Sequence, residues 1–90
     1  MDESPDDSPF EFPCDHDIKV MGRNSPEFRE RMRAVLVAEL GSGAADRAAE
    51  KTSGNGVFVS LTFTVLAHSR AELDRVYRAL HATGLVLFAL

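Results

Sequence analysis

Three groups of residues carry side chains that could do chemistry. The first is Gly22-Arg23-Asn24-Ser25, a bend, a cation and two polar side chains in a row. That set could hold a small carboxylate-bearing ligand, with Arg23 as its counter-charge. The plainer account is a turn and a helix cap. The second is Cys14, His16 and Asp17, all metal-ligand types. A Cys-x-His without a second half-site is not a zinc signature, so no metal is expected. The third is His68 and His81, which flank a helical stretch and are expected to face water. Hydrolysis needs a nucleophile, a base and a group to orient it, and no local motif offers the three. The chain is therefore expected not to be an enzyme, and no cofactor is implied.

The elements that must position these residues are readable from periodicity. Residues 16–22 alternate, with Ile18 and Val20 on one face and Lys19 and Met21 on the other. Ser25 caps a helix whose first position suits Pro26. Phe28, Met32, Val35, Leu36 and Leu40 make its apolar stripe, and Gly41-Ser42-Gly43 ends it. Residues 46–52 are polar and alanine-rich, as an edge strand should be. Asn55-Gly56 suits a tight hairpin. A clear strand follows, with Val57, Val59, Leu61, Phe63 and Val65 pointing one way and Phe58, Ser60, Thr62, Thr64 and Leu66 the other. Ser69 and Glu72 form a capping box for a second helix, with Leu73, Val76, Tyr77 and Leu80 as its buried stripe. Residues 85–90 form the last strand, with Val86, Phe88 and Leu90 assigned to the core.

This order, β-α-β-β-α-β, predicts an α+β ferredoxin-like sandwich. Two helices should cover one face of a four-stranded antiparallel sheet with the first and third strands central. Ninety residues allow one domain and no second core. Residues 1–12 read as a disordered acidic leader and residues 13–90 as the domain. Phe10 and Phe12 are the leader's apolar exceptions, suited to tucking onto the domain. The net charge of -4 arises largely in this leader, because from Asp15 onward ten basic residues face nine acidic ones. No concentrated basic footprint suggests nucleic-acid or membrane binding. A single cysteine and an acidic, proline-containing start fit the cytoplasm.

Several stretches resemble a known family. Phe12-Pro13, Lys19-Val20-Met21-Gly22, and Ser53-Gly54-Asn55-Gly56 leading into Val59-Ser60-Leu61-Thr62 are similar to the YbeD-like family of small bacterial proteins. The likeness spans roughly residues 12–90. It implies a ferredoxin-like fold close to the ACT regulatory domains, which bind small ligands beside metabolic enzymes. Gly56 departs from the pattern, since relatives often place an aromatic residue there.

Two other activities of such folds fit poorly. RNA recognition needs a basic-Gly-aromatic run entering the third strand, where this chain has Gly54, Asn55 and Gly56. An acylphosphatase-like anion loop is opposed by Pro26, which lacks an N–H, and by the charge of Glu27. What stands out is the final strand. Leu85, Leu87 and Ala89 would leave the outer side of an edge strand apolar, with no charge to deter pairing. With Phe58 they form the expected interaction surface. The expectation is a regulatory or adaptor domain acting through a protein partner, a second copy giving a homodimer. The alternative is an ACT-like sensor binding a small-molecule carboxylate at 22–25.

Overall fold

A computed structural model of the chain describes residues 11–90. The elements are β1 (Cys14–Arg23), α1 (Pro26–Leu40), β2 (Ala48–Thr52), β3 (Phe58–Ala67), α2 (Arg70–Ala82) and β4 (Phe88–Ala89). The sheet order is β2-β3-β1-β4 with every neighbouring pair antiparallel. This is the expected sandwich, with β1 and β3 in the centre. Nearly all of the leader, including Phe10, lies outside the described residues.

The two long central strands run in register over their full length, from Cys14 opposite Ala67 to Arg23 opposite Phe58. That pairing sets Ile18 against Phe63 and Val20 against Leu61 on the helix-covered side. Phe28, Met32 and Leu36 of α1 and Leu73, Val76 and Leu80 of α2 complete the core. Both stripes follow the spacing read from the sequence. Both caps form as expected: Phe28 N–H donates to Ser25 Oγ at 3.1 Å, and Glu72 N–H to Ser69 Oγ at 3.0 Å. The Glu72 carboxylate, however, accepts from His68 N–H, one residue before the cap.

Two stretches differ from expectation. The β2–β3 connection is longer than a two-residue hairpin. Of Asn55 and Gly56 only Gly56 takes a positive φ, +76°, and a type I′ turn needs both. The Asn55 side chain instead accepts from Ser53 Oγ and Val57 N–H. Val57 is thereby left exposed and outside β3, not aligned with Val59.

The larger correction is at the C-terminus. Only two residues of the expected 85–90 strand are β4, and their parity is reversed. Ala89 lies opposite the buried Val20, and Phe88 opposite Met21 on the open face. Phe88 and Leu90 are 55% and 63% exposed, so neither belongs to the core. Val86, with Leu85 and Ala89, packs partly buried against it. The reason is physical: a segment apolar on both sides carries no alternation to fix its register.

Candidate functional site

The loop 23–25 is held by a dense set of bonds. Asn24 N–H donates to Val57 C=O at 2.9 Å, and Asn24 Nδ2 to Gly56 C=O at 2.9 Å. Arg29 then binds three groups together. Its guanidinium donates to Asn24 Oδ1 at 2.7 Å, to Ser25 C=O at 3.2 Å and to both carboxylate oxygens of Glu50 on β2. The expected ligand-holding residues are thus adjacent but mostly committed to shaping the turn. Asn24 and Ser25 hold the loop and the helix start. Gly22 is buried against Phe28. Arg23 points along the sheet, its guanidinium 5.9 Å from the Phe58 ring.

Arg29 also sets the electrostatics here. Its hydrogen bonds hold the Glu50 carboxyl below the usual range, against a smaller opposing effect of desolvation. Glu50 therefore favours the folded state once ionised. That contribution is fully present above the ordinary carboxylate pKa and fades as pH falls through the lowered one. Glu50→Gln should flatten the acid limb of stability against pH, read as urea midpoints through the carboxylate range. An unchanged acid limb would show that the pair contributes nothing to acid sensitivity.

A groove of about 390 Å³ opens beside this loop, lined by Arg23, Ser25, Glu27 and Phe28 together with Gly84, Leu85 and Leu87. Its size suits a small molecule. Glu27 lines the groove together with Arg23, so a lone carboxylate meets both signs of charge.

The apolar C-terminal segment forms a second feature. Leu87, Phe88 and Leu90 are exposed, while Leu85 and Ala89 turn inward. Of the expected interaction residues, Leu87 lies on the outside and Phe58 is half-buried on the open face. Leu85 and Ala89 do not reach the outer side, and Phe88 and Leu90 take their place. Reversed parity explains the exchange. Leu90 is tied back by paired backbone bonds with Lys19 and by the Tyr77 hydroxyl, which donates to Leu90 C=O at 2.7 Å. Burial raises the pKa of that phenol.

The remaining candidates do not assemble. His16 faces Tyr77, with Nε2 3.3 Å from the hydroxyl and the rings edge to face. Asp17 accepts from Thr64 on the opposite face of the sheet. Cys14, His16 and Asp17 therefore do not converge, and among the described residues no group of three metal-ligand side chains does. His68 and His81 are exposed at the two ends of α2. No helix among the described residues is long and apolar enough to cross a membrane.

The element order and sheet topology define a ferredoxin-like α+β domain. Residues 7–90 match the family described as "Protein of unknown function (DUF493)", and the chain belongs to that family. A UPF0250 protein of Paraburkholderia phytofirmans is 44% identical over 77 residues, covering 86% of each chain. A UPF0250 protein of Bordetella pertussis is 41% identical over 87 residues, covering 96% of this chain and 94% of its own. Among solved structures, protein HP0495 from H. pylori superposes with a TM-score of 0.69 at 18% identity, over 100% of this chain and 98% of that one. The C-terminal domain of the MgtC protein from Mycobacterium tuberculosis gives 0.68 at 20% identity, over 90% and 88%. Both share the fold.

Proposed function

We infer that this chain is a small regulatory or adaptor domain that works through protein–protein contacts and performs no chemistry of its own. The observation that carries the reading is the uncharged C-terminal stretch 83–90, which ends the sheet with Leu87, Phe88 and Leu90 exposed. Edge strands in soluble proteins are ordinarily blunted by charge, proline or a covering element. An unblunted apolar edge suits strand addition, in which backbone bonds supply affinity and alternate side chains supply selectivity. The first partner to test is a second copy of the chain. Leu87→Lys should shift a dimer towards monomer in sedimentation at matched concentration. A wild type that stays monomeric at high concentration removes the homodimer. If cross-linking in the native host then also recovers no partner on this edge, the adaptor reading fails.

A second reading is favoured by the groove beside Arg23. It is a sensor of a small carboxylate-bearing metabolite, in the manner of ACT-like domains. A thermal-shift screen of amino acids and other small carboxylates should raise the melting temperature, and Arg23→Ala should abolish the rise. A flat response across the screen sinks this reading and leaves the adaptor untouched.

A further inference from the structure

β4 leaves part of its neighbour uncovered. Lys19 and Leu90 exchange both backbone bonds, and Met21 C=O accepts from Leu87 N–H. These bonds use the odd-numbered residues of β1, so Asp17 directs its N–H and C=O to the same side. Pairing with β4 does not reach Asp17, and among the described residues no backbone group meets it there. A groove of about 370 Å³ opens at this place, lined by residues of β1, α2 and β4 together with Phe12.

Its apolar lining is on the helix-covered side. The His16 and Tyr77 rings stand 89° apart, linked by the 3.3 Å contact of Nε2 with the hydroxyl. Half-buried Phe12 and buried Leu73 join them. The charges follow the course of α2. Ala67 lies opposite Cys14 and α2 starts at Arg70, so Arg70 marks the Cys14 end of the groove and Tyr77, at Leu90, the other. Asp74 falls between them, about 6 Å along the helix from Arg70. Among the described residues no ion pair engages either one. Asp17 also lines the groove, but its carboxylate accepts from Thr64 on the open face and lies in the field of Arg47.

A dipeptide laid beside β1 in the direction of β4 meets each of these groups in order. Its ammonium falls beside Asp74, and its carboxylate beside Arg70 at the N-terminal turn of α2. Extended, two residues span about 7 Å, close to the spacing of the two charges. The second residue takes the backbone bonds of Asp17. The first, opposite Ile18, turns its side chain to the helix-covered side, as Ala89 does opposite Val20. We propose that this groove binds a short zwitterionic peptide by strand addition to β1, with an apolar first side chain among Phe12, His16, Leu73 and Tyr77. The site is separate from the groove beside Arg23 and rests on neither reading above.

The test is an amide-resolved NMR titration of the full chain with the dipeptide leucyl-alanine. Shifts should centre on Asp17, Ala89 and Leu90, and exchange of the Asp17 amide should slow. Alanyl-leucine has the same composition and charge but turns leucine to the open face, so it should bind several-fold more weakly. Two exposed positions tie each charge to its partner. Arg70→Gln should weaken leucyl-alanine roughly two- to five-fold and leave its C-terminal amide unaffected. Asp74→Asn should do the same to leucyl-alanine and leave its N-acetyl form unaffected. Equal binding of the two dipeptides overturns the proposal, because no register then exists. Free leucine binding as tightly as leucyl-alanine makes this an amino-acid site and overturns strand addition. Shifts confined to residues 22–28 and 84–87 place the peptide in the groove beside Arg23, and a titration without shifts removes the ligand class; either result overturns the proposal. So does full affinity in both Arg70→Gln and Asp74→Asn.

Discussion

Replacing Gly22 by alanine should lower the melting temperature by roughly 10 °C, from a loss of about 2 kcal/mol. A Cβ at this position would collide with Cε1 of Phe28 and lie 2.6 Å from Cδ1 and 2.7 Å from Cζ. No real contact is that short, so something must move. Phe28 is 1% exposed and part of the buried core, so its ring is not the loose end of a flexible chain. The glycine is required for space, where β1 passes beneath the first turn of α1. Pairing the change with Phe28→Leu should cost less than the sum of the single losses, since the smaller side chain relieves the clash it was measured against. A Gly22→Ala protein that melts with wild type would mean the ring has room that the packing denies.

Phe63→Ala should cost more, about 3–5 kcal/mol. Phe63 is fully buried at the middle of β3, with Ile18 beside it on β1 and Ala48 on β2. Neither neighbour is large enough to fill the space vacated by a phenyl ring. A domain of this size has about 5–13 kcal/mol in total, and it buries only about 60–65% of its unfolded surface. The variant should therefore unfold at a much lower urea concentration, with its slope unchanged. A midpoint within error of wild type would place the centre of the core elsewhere.

Both losses concern positions whose partners differ in how far the sequence reveals them. Phe63 is legible, because strict alternation from Val59 to Val65 marks an inward face before any partner is known. The same holds for the helix stripes and for Ser25 and Ser69, whose bonds reach only three residues along the chain. Gly22 shows the limit. Its type announces a turn, whereas its function is to clear a ring that folding brings over it. Val57 fails for a local reason, since Asn55 spends its side chain on the loop and keeps a negative φ. Phe88 and Leu90 fail for want of pattern. In the candidate site, the loop residues were legible as neighbours, but their commitments to Gly56, Val57 and Arg29 are tertiary.

The brevity of β4 has a consequence for the lifetime of the closed sheet. Its hold on β1 is confined to Lys19, Val20 and Met21, with Tyr77 clasping the last carbonyl. Segments tied by so few bonds open at a small fraction of the global unfolding free energy. The stretch 83–90 should therefore release from the native state many times before the domain itself unfolds. Each release turns β1 from an interior strand into the boundary of the sheet, baring backbone groups beside the fully buried Val20. Amide exchange at Lys19 and Met21 would report how often this happens, and so how long a bare edge waits before its own last strand returns.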